Sequence, residues 1–243
     1  AGYNHIELVR PGGADACRDA GLSFSRSVRI NTPADADPIL AMASDEGCTF
    51  ASVHLGWGME SDRQAHELIE ATLFAAERRK IPAYVELHRA TILQDARRTV
   101  DFIQAFPELL LTADFSHWYT GHEMVYGGFE RKLAFIQPIF ERVRHVHGRF
   151  ADPGCIQVTV TDEQAPHVQH FLELWRQCFD AFLTTRPNGE AITFTAELLQ
   201  SSCHYARTRK TEYGWEEESD RWQEALRCCK LAEIAFIDAK NPF

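Results

Sequence analysis

Residues 109–114 read Leu-Leu-Leu-Thr-Ala-Asp, a short apolar run that stops on a carboxylate. Three other segments end in the same manner: Ile81-Pro-Ala-Tyr-Val-Glu86, Val143-Arg-His-Val-His147 and Ala191-Ile-Thr-Phe-Thr-Ala-Glu197. Short apolar runs bounded by polar residues suit strands buried on both faces, as in a parallel sheet. One such ending carries little information, because a lone acid there commonly caps a helix or meets a loop cation. Four in series, supplying Glu, Asp, His and Glu, are what a barrel of parallel strands needs to place a metal at one mouth. Active-site groups of such barrels project from the strand C-termini, so residues far apart in sequence converge there.

Working outward, strands are expected over 5–9, 22–30, 49–55, 83–88, 109–115, 143–150 and 191–198. Helical stretches lie between them. Ser61-Asp-Arg-Gln offers a capping serine ahead of Leu68, Ile69, Leu73 and Phe74 at helical spacing. Further helices are expected near 92–105, 122–142, 162–182 and 217–237. Strands joined by helices imply parallel pairing through right-handed crossovers. The expected fold class is therefore α/β, a TIM (β/α)8-type barrel forming one domain over residues 1–243. Seven strands are one short of closure. The opening Gly2-Tyr-Asn-His-Ile-Glu-Leu reads like the second strand of such a fold. The first strand and helix are thus expected to be missing from this chain, with a seven-stranded open barrel as the alternative.

The bulk numbers agree. A length of 243 residues matches one α/β barrel of about 250 residues. A hydrophobic fraction of 45% supports a large core rather than disorder. No apolar run approaches the roughly 20 residues of a membrane span, and the start carries no secretory pattern. The net charge of −10 disfavours nucleic acid as a partner, since that affinity comes largely from Lys and Arg on phosphates. Seven cysteines without a Cys-x-x-Cys pair argue against a disulfide framework or zinc knuckle, and point to reduced thiols in a cytoplasmic protein.

Strand parity sharpens the ends of these segments. Residues two apart face the same way, so Glu86 and His88 share a face. His145, His147 and Arg149 share another, and Thr193, Thr195 and Glu197 a third. Buried charges are costly unless paired or metal-bound. Several carboxylates converging with histidine therefore favour one divalent cation among them, with Mn²⁺, Mg²⁺, Co²⁺ and Zn²⁺ all compatible. Asp114-Phe-Ser-His117 adds a carboxylate and an imidazole three residues apart, just past a strand. Alternatively, Asp114 simply caps the next helix and His117 is exposed.

Several motifs resemble the xylose isomerase-like TIM barrels, the sugar phosphate isomerase/epimerase group whose superfamily includes the apurinic endonucleases. The resemblance is carried by Gly2-Tyr-Asn-His-Ile-Glu-Leu-Val, Val85-Glu-Leu-His-Arg89, Ala113-Asp-Phe-Ser-His-Trp118, His145-Val-His-Gly-Arg149 and Thr195-Ala-Glu197. It implies a metal held by Glu86, Asp114, His147 and Glu197, and His117 as a contact to a substrate hydroxyl or carbonyl. It further implies a divalent metal-dependent isomerase or epimerase acting on a sugar, sugar phosphate or keto-polyol by proton transfer through an enediolate. Glu86 and Glu197 would be the catalytic acid–base pair, and His117, His88 and His54 would hold substrate oxygens. Arg149 is a further substrate-binding candidate, although epimerases of the group place that arginine farther beyond the histidine ligand. Manganese is among the metals so implied, and carbohydrate metabolism is the implied setting. The basic run Arg207, Arg209 and Lys210 could grip an anionic substrate or form a solvated loop ahead of an acidic helix start at 216–218. The apolar segments 102–111 and 135–140 fit faces packed on the barrel better than a homo-oligomer interface, which they would also allow. A metal-dependent lyase, dehydratase or glycoside-processing enzyme is the nearest alternative, followed by a non-catalytic sugar-binding barrel and then a nuclease.

Overall fold

Every strand expected from the sequence is present in the protein, shorter at its ends than the apolar run that announces it. The structure is a computed structural model and describes residues 2–185 and 190–240. Its residues group into two compact units, Ala1–Thr112 and Ala113–Phe243.

In the first unit, strands β1 (His5–Leu8), β2 (Ser23–Ile30), β3 (Ala51–Leu55) and β4 (Ala83–Glu86) alternate with helices α1 (Ala14–Asp19), α2 (Ala36–Asp45), α3 (Asp62–Arg79) and α4 (Ala96–Ala105). The unit closes in strand β5 (Leu110–Ala113), which pairs with β4 in the register Val85↔Leu111 and Glu86↔Thr112. All of its strand pairs are parallel, and sheet neighbours are sequence neighbours. Ile30, Val53, Leu55, Val85 and Leu111 fill the strand core, against Leu40 of α2 and Leu68 and Ile69 of α3. The Ser61 hydroxyl caps α3 by accepting from the Gln64 amide, and the Gln64 side chain accepts from the Ser61 amide. Phe74 departs from expectation. It is 66% exposed, because Leu68, Ile69, Thr72 and Ala75 set the buried stripe and position 74 turns away from it. Helices α1 and α2 lie in segments with no helix assigned from sequence. Six residues are too few to display a helical period, and α2 is rich in small alanines.

The second unit holds β6 (Val143–Gly148) and β7 (Thr193–Ala196), paired in parallel with His147 opposite Thr195. Around them run α5 (Phe115–Gly121), α6 (Phe129–Phe140), α7 (Pro166–Thr185) and α8 (Arg221–Lys240). Two corrections fall here. The helix expected near 122–142 starts only at Phe129, after Gly127 and Gly128 at positive φ, and a separate short helix, α5, begins ahead of it under the Asp114 cap. The helix expected from 217 begins at Arg221 instead. Residues Gly214–Glu217 form a strand, β9, antiparallel to β8 (Thr208–Thr211). Gly214 at φ 123 makes the tight turn that the acidic run obscured. Within this hairpin region Arg207 pairs with Glu218 at 3.4 Å, while Arg209 and Lys210 point to solvent.

Gly148 decides how β6 and β7 pack. A Cβ there would run into the Phe194 ring, and that ring is held edge-on against Trp175 with centroids 5.1 Å apart. All seven cysteines are free. No helix among the described residues is long and apolar enough to cross a membrane. We expect Gly148→Ala to lower unfolding free energy in urea by about 1–3 kcal/mol, the usual cost of overpacking. Combining it with Phe194→Leu should recover part of that loss. Strict additivity in the double-mutant cycle would show that the ring is not the obstacle.

Candidate active site

In the first unit the polar groups cluster at the C-terminal ends of β3 and β4. Glu86, the last residue of β4, is 1% exposed. Its Oε2 faces the His54 Nε2 at 2.8 Å, with the Ser52 hydroxyl 3.4 Å away. Ser52 in turn donates to the Thr112 hydroxyl at 2.9 Å. His54 Nδ1 lies 3.3 Å from the Arg29 Nη2, and Arg29 stands opposite His54 in the β2–β3 register. A guanidinium can only donate. Nδ1 must therefore accept, which leaves the proton on Nε2, where it donates to Glu86. The His88 ring lies 4.3 Å from that of His54, and its Nδ1 bonds the Arg89 carbonyl. His54, Glu86 and His88 present ligand atoms within 4.8 Å of one another. Sequence reading named these three residues. It passed over Ser52 and Arg29, although parity with His54 would have found Ser52.

In the second unit Asp114 follows β5 and caps α5. Its Oδ1 accepts from the Ser116 amide at 2.9 Å and the Ser116 hydroxyl at 2.5 Å. The capping alternative is thus correct for Asp114 but not for His117, which is buried with Nε2 3.4 Å from Asp114 Oδ2. His145, His147 and Arg149 share one face of β6 and the residue beyond it, and all three are buried, as are Val146 and Phe150 on the other face. His145 is tied to the Thr193 hydroxyl at 2.6 Å. Glu197 follows β7, with its amide donating to the Gly148 carbonyl at 3.1 Å. The His147 Nδ1 is 3.3 Å from Glu197 Oε2. Beyond it, Gln157 clamps the backbone of Leu199 through both its N–H and C=O, at 2.9 and 3.0 Å.

Arg149 binds this cluster together. Its Nη2 contacts Asp114 Oδ2 and lies 3.0 Å from Glu197 Oε2. Its Nε donates to the Ser116 hydroxyl at 3.1 Å, and its guanidinium sits 4.8 Å from the centre of the Tyr205 ring. Nη1 has no hydrogen-bond partner among the described residues. Burial alone would push the Asp114 carboxyl up, but the Arg149 cation and His117 overcome it and hold the carboxyl well below the usual range. Burial likewise opposes the Arg149 charge, and Asp114 and Glu197 more than offset it. Nothing in the sequence singled out Tyr205 or Gln157 for the site, since their roles come from loops folding back.

Asp114, His147 and Glu197 offer two carboxylate oxygens and an imidazole nitrogen within 4.8 Å of one another. That donor set suits one hard or borderline divalent ion, so the residues present fit the implied metal.

No protein-family model and no curated protein matches the sequence. Solved structures match its fold. A xylose isomerase domain protein from Planctomyces limnophilus superposes with a TM-score of 0.57 at 14% identity, covering 98% of this chain and 90% of its own. A xylose isomerase-like TIM barrel protein from Mycobacterium smegmatis, solved in complex with magnesium, gives 0.56 at 13% identity, covering 97% of this chain and 85% of its own. The fold is that of the xylose isomerase-like TIM barrels. The resemblance carried by the sequence motifs therefore holds at the level of the fold.

Asp114→Asn should destabilise the protein by about 3–5 kcal/mol at pH 7, because it leaves a buried guanidinium half-paired. The Asp114 carboxyl is depressed in the folded state. The stability its charge contributes is therefore complete above its unfolded value of about 3.9, and lost as pH falls toward the lower folded one. The gap between wild type and D114N in urea titrations should accordingly narrow below about pH 4. A gap that persists unchanged there would contradict the ion pair as its source.

Proposed function

We propose that the protein is a divalent metal-dependent isomerase or epimerase of a sugar or keto-polyol, with Glu86, Asp114, His147 and Glu197 as the metal ligands. The observation that carries this reading is the convergence of Asp114, His147 and Glu197 on one point in the second unit. Glu86 completes the set by ending β4, the position from which a barrel strand delivers a ligand. The magnesium found with the M. smegmatis barrel supports Mg²⁺ as one candidate alongside Mn²⁺, Co²⁺ and Zn²⁺.

When bound, the metal supplies polarisation of a substrate carbonyl, which acidifies the neighbouring C–H. The protein's own groups do the rest. Glu197 is 20% exposed on its side chain where Asp114 is fully buried, so it is the carboxylate placed to meet substrate. Its Oε2 is engaged by Arg149 and His147, which leaves Oε1 to take the proton from carbon. Glu86, entering the turnover as the protonated acid, returns a proton either to the opposite face of the same carbon or to its neighbour, and exchange with solvent resets both carboxyl groups. Its carboxyl group is oriented by the His54 N–H, itself fixed by Arg29. His117 and His88 hold substrate oxygens, and Nη1 of Arg149 provides one further donor. The substrate is a small molecule handled by a single barrel domain in the cytoplasm, with no part for nucleic acid or membrane.

Incubating the protein with a ketose panel in D₂O tests this directly. Deuterium should enter the carbon next to the carbonyl, and exhaustive chelation should abolish the exchange. Glu197→Gln should reduce exchange by about 10²-fold or more. Full exchange in the stripped protein would sink the metal, and full exchange in E197Q would sink the base.

A further inference from the structure

The oxygens best placed to hold a cation in the second unit already face one. Asp114 Oδ2 and Glu197 Oε2 converge on the same Arg149 nitrogen, Nη2. His117 Nε2 lies 3.4 Å from the first oxygen and His147 Nδ1 lies 3.3 Å from the second. A divalent ion using these two oxygens would have to stand where Nη2 stands. Two cations cannot share one such point, because a divalent ion and a guanidinium repel strongly at close range in a buried site. The guanidinium cannot escape by losing its proton. Its Nη1 is buried with no hydrogen-bond partner among the described residues, and the guanidinium lies 4.8 Å from the centre of the Tyr205 ring.

We infer that Arg149 and the divalent metal compete for Asp114 Oδ2 and Glu197 Oε2, so that Arg149 sets the protein's metal affinity. The inference rests on the metal reading proposed above. Arg149 neutralises the two carboxylates with the Tyr205 ring holding its guanidinium in place, and metal entry displaces Nη2 from them. Metal affinity is consequently weaker than the bare ligand set would give.

Titration of the full chain with Mn²⁺ tests this, with free ion counted by electron paramagnetic resonance. Arg149→Met should bind Mn²⁺ at least tenfold more tightly than wild type. Asp114→Asn should bind it more weakly than wild type. Tyr205→Leu loosens the guanidinium without baring the carboxylates, so it should tighten binding severalfold, and it serves if R149M does not fold. Circular dichroism confirms the fold of each variant. Saturating Mn²⁺ should also raise the Tm of R149M more than that of wild type. Wild type binding Mn²⁺ as tightly as folded R149M, or as Y205L where R149M is unfolded, would overturn the competition and leave the metal reading intact. No Mn²⁺ binding by wild type or by either folded variant would overturn the metal reading, and the competition with it.

Discussion

A guanidinium lodged between two carboxylates is the interaction around which the second unit is organised. Arg149 is 1% exposed, and a charge so placed persists only with partners, since an isolated buried ion costs far more than a folded domain can spare. Those partners arrive from separate places in the sequence. Asp114 comes from the end of β5, Ser116 from the first turn of α5, Glu197 from the end of β7 and Tyr205 from the segment before the hairpin. The demands of that single cation fix the N-cap of α5, the β6–β7 register and the path of the chain after β7. Gly148 belongs to the same arrangement. Only the absence of a side chain lets Phe194 lie over β6 and hold the backbone that presents His147 and Arg149.

The first unit solves a smaller version of the same problem with a different device. Glu86 is as deeply buried as Arg149, yet its near partner is a neutral imidazole rather than a cation. Arg29 stands one residue pair away across the β2–β3 ladder and selects the tautomer of His54 that can donate to Glu86. An arginine thus appears in both units, beside the carboxylates in one and one step removed in the other. Where it is adjacent it competes for the oxygens. Where it is removed it only aims the group that touches them.

Much of the fold was legible because its signals are local. Strands β3, β4 and β5 are largely apolar and buried almost throughout, and the more polar β1, β2, β6 and β7 were read from their place in the alternation of strands and helices. Helices with a long periodic apolar face, such as α3, α4 and α7, were readable from that period, and α3 also from its Ser61 cap. What escaped were elements whose determinants are short or depend on partners. The break between α5 and α6 hangs on Gly127 and Gly128 and on a cap that doubles as a site residue. The β8–β9 hairpin lies in charged sequence that reads equally well as a solvated loop or a helix start. Phe74 misled by its hydrophobicity, which places no constraint on a position outside the buried stripe.

The chain by itself determined which residues could act. Side-chain parity within a strand is a covalent consequence of the backbone, so Glu86 with His88, and His145 with His147 and Arg149, were set before any tertiary contact formed. Only tertiary structure decided what those residues do to one another. That Arg149 spans Asp114 and Glu197, that His117 turns inward beside a carboxylate already capping its helix, and that Arg29 chooses the proton of His54 all depend on side chains from distant segments meeting in a low-dielectric interior. Hydrogen-bond direction and ion pairing are properties of distance and burial, and neither is written in the order of the residues.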